Sequence, residues 1–130
     1  MPLTALFGLA ALSTPPALAD TPWTLVSIRL GHRWITLSQQ VPKPTLLIRG
    51  QNATGFTACS PLTGKVIYAG SRLSFEALDA GPDDQCPDRI IDLREDYVNL
   101  LSGAMRYQIR GDTLTIWAKS GALLFRASRE

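Results

Sequence analysis

The residues with the most specific chemistry are few in this sequence of 130 residues: two cysteines and one histidine. His32 follows Gly31 in a predicted turn, where it could act as an acid–base residue or contact an anion, although an exposed turn residue is the simpler interpretation. One histidine and two cysteines are too few ligands for a zinc or iron–sulfur site. The patterns G-x-S-x-G and S-x-x-K are missing from the sequence, so we predict no catalytic residue, no metal site and no cofactor.

Four aspartates form the second group that could do chemistry. Asp79, Asp83, Asp84 and Asp88 lie close together in the sequence, and such a group suggests a calcium site. The EF-hand spacing, with its glycine and closing glutamate, is absent from the sequence. We therefore interpret the aspartates as negative charges near the N-terminus of a helix, where the helix dipole favours them.

The state of the cysteines depends on the compartment, which the N-terminal segment indicates. Residues 3–12 are apolar and uncharged but shorter than the roughly 20 residues that span a bilayer, and Ala17 and Ala19 fit a signal-peptidase site. This pattern predicts a signal peptide over residues 1–19, cleaved after Ala19, and a single domain over residues 20–130 in the periplasm or outside the cell. The alternative is a buried N-terminal helix that the following prolines end.

An exported domain meets oxidising conditions, under which two cysteines are more often paired than free. We therefore predict a disulfide between Cys59 and Cys86, with two independent thiols as the alternative. Closing this loop stabilises the fold by roughly 3–4 kcal/mol on the loop-entropy account.

The composition is typical of one packed domain, with 45% hydrophobic and 18% charged residues. The 13 basic and 11 acidic side chains give a net charge of +2 and form no run along the sequence. This balance argues against a nucleic-acid module and against a polybasic membrane patch. We expect a monomer with no nucleic-acid partner and no transmembrane segment.

Alternating hydrophobic residues and frequent turn signals predict a series of short antiparallel strands. The strands are expected at residues 23–30, 33–37, 45–49, 53–57, 65–68, 72–77, 105–110, 113–118 and 122–126. Between the sixth and seventh of them, residues 87–101 carry apolar side chains at steps of three and four, which is typical of a helix with a broad apolar face. The predicted fold is α+β and mainly β, an antiparallel sheet or cracked barrel of about eight strands with one helix packed against it.

Five aromatic residues are the candidates for an apolar ligand cavity. They are Trp23, Trp34, Phe75, Tyr97 and Trp117. In a cracked barrel they would line a cavity for an acyl chain or for a partner's apolar residue, whereas in a filled barrel they belong to the core. The sequence leaves both alternatives open.

Several segments, taken in their order and spacing, resemble a known family. They are Trp23–Ile28, Pro44–Ile48, Ala53–Ser60, Leu73–Phe75, Cys86 and Tyr107–Ile116. Over about residues 22–127 the sequence is similar to the META domain family, which includes the HslJ-like heat-shock proteins. The family usually has Gly-Cys-Asn where this chain has Ala58-Cys59-Ser60, but both cysteine positions are retained.

The resemblance implies a strand-rich fold similar to the cracked barrels of lipid-binding secretion pilot proteins, and a role in envelope stress, drug tolerance or secretion. It implies no enzyme, because the family has no agreed catalytic residues. Our leading hypothesis is a non-catalytic exported domain that binds an envelope protein or a lipid-like ligand. The alternatives are a small secreted inhibitor of a lysozyme or protease, which would present residues 38–44, and an enzyme that depends on His32.

Overall fold

Residues 16–128 are described by a computed structural model of the protein, and they form nine strands and one helix. In chain order the elements are β1 (Trp23–Leu30), β2 (Arg33–Thr36), β3 (Thr45–Arg49), β4 (Asn52–Phe56), β5 (Pro61–Ala69), β6 (Arg72–Asp79), α1 (Asp88–Ser102), β7 (Ala104–Arg110), β8 (Thr113–Ala118) and β9 (Gly121–Ala127). All strand pairs are antiparallel. The period-two and helical patterns of the sequence therefore predict nearly every element correctly.

The strands close into a barrel of eight, because β9 pairs with β1 as well as with β8. The strand β2 is an addition to this barrel and pairs with β1 alone. The prediction of a mainly β fold with a single helix is confirmed. The choice between sheet and barrel, which the sequence left open, depends on the pairing of the first strand with the last.

The strands β2 and β3 lie along the same edge of β1, one beside each half of it. Two further hydrogen bonds extend both pairings, from Leu37 N to Val26 O (3.0 Å) and from Leu25 N to Pro44 O (2.9 Å). The intervening residues 38–43 therefore leave and rejoin one continuous edge as a loop.

The barrel has a weak seam between β6 and β7. Their register consists of one pair, Arg72 opposite Arg106, next to a hydrogen bond from Tyr107 N to Ser71 O (2.9 Å). The rest of β6 lies beside α1 instead. The helix thus packs against the part of β6 that has no strand partner on this side of the barrel.

The helix fills the barrel with its apolar face. Its buried side chains are Ile90, Tyr97, Leu100 and Leu101, and it packs against β6, β8 and β9. The Tyr97 ring meets the Phe125 ring edge to face, with 6.2 Å between the ring centroids. The helix ends at Gly103, as its sequence predicts.

One predicted strand boundary is wrong. The sequence predicts the fifth strand at residues 65–68, but β5 begins at Pro61, which pairs with Phe56. A proline is tolerated there because the first residue of a strand need not donate to the ladder. Gly64 lies where the pairing with β6 shifts register, so this glycine marks a bulge and not a turn.

The N-terminal residues from 16 onward belong to the fold. Leu18 is buried against the core, and its carbonyl oxygen accepts a hydrogen bond from Trp23 Nε1 at 3.1 Å. Asp20 N donates to Ile48 O at 2.7 Å. The predicted signal peptide falls mainly on residues 1–15, outside the described part of the chain, and cleavage after Ala19 stays a prediction.

Candidate binding groove at the barrel seam

A groove of about 330 Å³ opens on the barrel surface at the seam between β6 and β7. It is lined by Ile67, Tyr68, Ala69, Arg72, Leu73, Ser74, Ala104 and Met105. A second hollow of about 360 Å³ lies beside the first and shares Ile67 and Tyr68 with it. Together they flank the end of β5.

The groove follows from the topology of the seam. The hairpin of β5 and β6 turns tightly at Gly70, which has a φ of 59° that favours glycine. The chain then returns from the helix into β7 only at Ala104, so β7 meets β6 near that turn and leaves a depression in the wall.

The groove exposes apolar side chains that the core does not use. Ile67 on β5 and Met105 on β7 are each 51% exposed and are the most exposed of the large hydrophobic residues in the described part of the chain. Arg72 contributes a guanidinium to the same lining. An apolar wall with a cation at its margin is suited to an amphiphilic ligand with an acidic head.

The five predicted aromatic residues separate into two groups. Trp23, Phe75 and Tyr97 are buried in the core cluster, which favours the filled-core interpretation for these three. None of them lines either groove.

Contrary to expectation, Trp34 and Trp117 lie outside the core. Trp34 is 47% exposed because the strand that carries it, β2, lies outside the closed barrel. Trp117 is half-buried and alternates along β8 with the fully buried Leu114 and Ile116, so its ring faces outward. The sequence alternation was correct here, but it could not say which of the two faces was the inner one.

Tyr97 is a core residue whose hydroxyl has a hydrogen-bond partner. Its hydroxyl donates to Thr45 O at 2.8 Å, which ties the helix to β3. Complete burial raises the pKa of Tyr97, because a phenolate would lose its hydration inside the core. The group is therefore a neutral hydrogen-bond donor.

The predicted disulfide is confirmed. Cys59 and Cys86 are bonded, with a distance of 5.4 Å between their Cα atoms. The bond joins the turn between β4 and β5 to the residues just before α1. It fixes the start of the helix to the turn between β4 and β5.

A polar contact that sequence analysis missed reinforces this link. Arg94 of the helix donates from Nε to Ser60 Oγ at 3.1 Å and from Nη2 to Gly81 O at 2.7 Å. Ser60 is buried and also bonds to Thr57, so the turn is satisfied internally. An isolated arginine on a polar helix face carries no signal that would have revealed this role.

The other predicted candidates lie apart from the groove. His32 is exposed in the turn between β1 and β2. Asp79 Oδ1 accepts a hydrogen bond from Gly81 N at 3.0 Å, which orders the loop ahead of the helix. Within residues 16–128, no group of three His, Cys, Asp or Glu side chains is arranged to hold a metal ion, and no helix is both long and apolar enough to cross a bilayer.

The sequence and the fold of this chain are similar to those of known proteins. A family described as the META domain matches residues 16–130 of the sequence. The chain belongs to the META domain family. This confirms the resemblance seen in the sequence, and the match covers all the strands and the helix of this META domain. A search of curated proteins finds no match.

Solved structures share the fold of this META domain. An NMR structure of a protein from Burkholderia xenovorans has a TM-score of 0.72 at 21% sequence identity, covering 87% of this chain and 85% of that one. The crystal structure of a DUF4847 family protein from Bacteroides vulgatus ATCC 8482 has a TM-score of 0.67 at 10% identity, covering 87% and 96%. A further NMR structure has a TM-score of 0.65 at 15% identity, covering 87% and 93%. At these identities the likeness establishes the fold alone.

Proposed function

We propose that this META domain is a non-catalytic binding domain of the bacterial envelope, which holds a lipid-like acidic amphiphile in the groove at the seam. The observation that carries the proposal is the groove itself, where two exposed apolar side chains stand beside an arginine. Its volume of about 330 Å³ is at the lower end of the range for ligand sites.

The chemistry of the lining sets the ligand class. Ile67 and Met105 would contact an aliphatic chain. Each Å² of apolar surface that the chain removes from water would stabilise the complex by about 25 cal/mol. The Arg72 guanidinium offers a planar donor set to a carboxylate or phosphate head group. Catalysis has no part in the proposal, since the groove lining contains no histidine, cysteine or carboxylate.

The location in the envelope is supported by two features. The bonded pair Cys59 and Cys86 fits an oxidising compartment, where such bonds persist. The apolar N-terminal segment with small residues before Asp20 fits export. We propose a periplasmic or secreted protein on these grounds.

Binding of a dansyl-labelled fatty acid tests the groove. Ile67→Asp places a charge on the apolar wall at an exposed position and should weaken binding at least tenfold, because the aliphatic chain would have to desolvate a carboxylate. Phe56→Asp is the matched control, since Phe56 is an exposed apolar residue outside the groove lining. It should leave the affinity unchanged.

Two outcomes would contradict the proposal. The first is an equal loss of affinity in both variants, which would indicate non-specific adhesion to exposed apolar residues. The second is no saturable binding by the unmodified protein.

A second candidate function, inhibition of a foreign hydrolase, is favoured by the loop of residues 38–43. Lys43 Nζ donates to Ser38 O at 2.6 Å and to Val41 O at 3.3 Å, and Gln40 N donates to Ser38 Oγ at 3.1 Å. A loop ordered by its own hydrogen bonds loses less entropy on binding.

Inhibition assays with a panel of lysozymes and proteases test this second function. The inhibition should disappear when the loop is replaced by a Gly-Ser segment of equal length. A panel without inhibition would exclude this function.

A further inference from the structure

A transverse row on the barrel wall crosses six neighbouring strands and consists of three arginines, two tryptophans and the buried Ala122. Successive strand registers place Arg72 opposite Arg106, Arg106 opposite Trp117, Trp117 opposite Ala122, Ala122 opposite Arg29, and Arg29 opposite Trp34. Residues directly opposite each other on paired strands point to the same face. We call these six residues the Arg–Trp row.

The row lies on the outer face of the barrel. Along β8 the buried positions are Leu114, Ile116 and Ala118, and Trp117 alternates with them. Arg72 and Arg106 are exposed at one end of the row, and Trp34 is 47% exposed at the other. The helix packs inside the barrel, so it does not cover the row.

One guanidinium group in the row stacks on an indole ring, and a second lies at the outer limit of a cation–π contact. The Arg106 guanidinium lies 4.3 Å from the centroid of the Trp117 ring, and that of Arg29 lies 6.0 Å from the Trp34 ring. Such cation–π contacts hold the planar group by its face. The exposed Arg106 keeps N–H donors at its edge for an acceptor from outside, whereas Nε of Arg29 is buried and has no hydrogen-bond partner. A carboxylate fits this edge with two parallel hydrogen bonds.

The row lacks negative charge of its own. The strands β1, β2, β7, β8 and β9 contain five arginines and no Asp or Glu, whereas β6 carries Glu76 and Asp79. Arg72 and Arg106 lie directly opposite each other. Their like charges repel, which destabilises this cross-strand pair. Most acidic residues lie instead in one stretch of the sequence, at Glu76, Asp79, Asp83, Asp84, Asp88, Asp92, Glu95 and Asp96. The row is therefore complementary to an external anion.

The shape of the row favours a flexible chain as the ligand. It crosses five intervals between strands, which corresponds to about 24 Å, and it follows the curved wall from β6 to β1 before reaching β2. A flat bilayer cannot touch both ends of such an arc, whereas a polymer can bend along it. Hydroxyl and amide side chains lie in the next outward row at Gln108, Thr115 and Thr36, while Ser27 in the same row is buried and donates to Ile35 O.

We propose that the Arg–Trp row binds an anionic polysaccharide, whose carboxylates pair with the arginines while sugar rings pack on the exposed indole of Trp34. Thr and Gln side chains beside the row donate to and accept from sugar hydroxyls. This binding site goes beyond the lipid groove and is independent of it, apart from Arg72, which belongs to both.

Affinity for polygalacturonate, a carboxylated polysaccharide, tests the proposal with the full chain. The double variant Trp34→Ala/Arg106→Gln removes the aromatic end and one stacked cation, both at exposed positions, and should weaken binding at least tenfold. The control variant Arg49→Gln/Lys65→Gln removes two exposed cations outside the row and should weaken it less than threefold. Arg106→Lys, which retains the charge but not the planar stack, should give an intermediate loss.

The comparison ligands decide between the alternatives. Neutral dextran should bind at least tenfold more weakly than polygalacturonate. Tighter binding of poly-glutamate or of phosphatidylglycerol vesicles would overturn the proposal in favour of an acidic peptide or a membrane. An equal effect of the row and control variants would overturn it as well, since binding would then depend on net charge alone. The groove variant Ile67→Asp should leave polygalacturonate binding unchanged, so the two proposals can fail separately.

Discussion

Tyr97 shows how one side chain connects the helix to the barrel. Its ring contacts Phe125, and its hydroxyl donates to Thr45 O at 2.8 Å. Burial raises the pKa of this hydroxyl, since the charged form has no favourable environment in the core. The residue therefore couples core packing to the protonation state of one group.

Replacing Tyr97 by Phe should lower the free energy of unfolding by about 1 kcal/mol at neutral pH, because one buried hydrogen bond is lost. The folded-state pKa lies above the value of about 10 for a tyrosine in the unfolded chain. The unfolded chain then binds fewer protons at alkaline pH, so the stability of the unmodified protein falls as the pH rises above about 10. Urea unfolding at about pH 8 and about pH 11 measures this. An unchanged pH dependence in Tyr97→Phe would show that this hydroxyl is not responsible.

The burial of individual side chains is the property that the sequence predicts least well. The sequence placed Trp23, Phe75 and Tyr97 in a core or cavity, and these three are core residues. It grouped Trp34 and Trp117 with them, because hydrophobicity alone does not distinguish an outward indole from an inward one. Their positions depend on β2 lying outside the barrel and on the Arg106 stack, and both are tertiary features.

Among the elements, α1 depends most on a covalent link. The disulfide attaches the helix to the turn between β4 and β5, and Arg94 bonds to the same turn. Only one register pair joins β6 to β7, so strand pairing contributes little to closing that side of the barrel. The disulfide should therefore contribute strongly to stability.

The variant Cys59→Ser/Cys86→Ser should lose roughly 3–4 kcal/mol of stability, from the gain in entropy of the unfolded chain. Thermal and urea unfolding with and without reductant measure the loss. Reductant should destabilise the unmodified protein and leave the double variant unaffected. Equal stability of the two proteins under oxidising conditions would contradict this role of the bond.

Elements were predicted well where one pattern dominates. Period two revealed the strands, and steps of three and four revealed the helix. The start of β5 was missed because Pro61 and Gly64 are residue types that are common in turns, while strand pairing and a bulge accommodate both. The seam and its groove were beyond prediction, because they depend on register between strands that are distant in sequence.

At the scale of the whole molecule, residues that precede Asp20 contribute to the packed core. Leu18 belongs to the core cluster, and its carbonyl accepts the Trp23 indole N–H. A chain that began at Asp20 would lose both interactions. The structure thus places residues 16–19 inside the folded unit.

A chain that begins at residue 16 should be more stable than one that begins at residue 20, by about 2–5 kcal/mol, the cost of removing a buried leucine side chain. Urea unfolding of the two purified proteins measures the difference. A matched Leu18→Ala substitution in the longer chain should account for most of it. Equal stability of the two chains would instead favour the predicted processing after Ala19.

The distribution of charge is also a property of the whole molecule. Because no run of like charge stands in the sequence, the net charge of +2 gave no reason to expect a charged surface. Folding brings arginines from separate strands into the Arg–Trp row, whereas most acidic residues already lie close together in the sequence, between residues 76 and 96. Sequence order hides the row, since strand register creates it.

Native mass spectrometry of the protein purified from the periplasm, with and without reductant, tests most directly whether it is an exported domain that carries a lipid-like ligand. We expect a processed chain two hydrogens lighter than its dithiol form, as the Cys59–Cys86 bond requires. We also expect a lipid-sized adduct that Ile67→Asp abolishes and Phe56→Asp retains. An unprocessed chain with both thiols reduced and no adduct would contradict an exported, ligand-carrying domain.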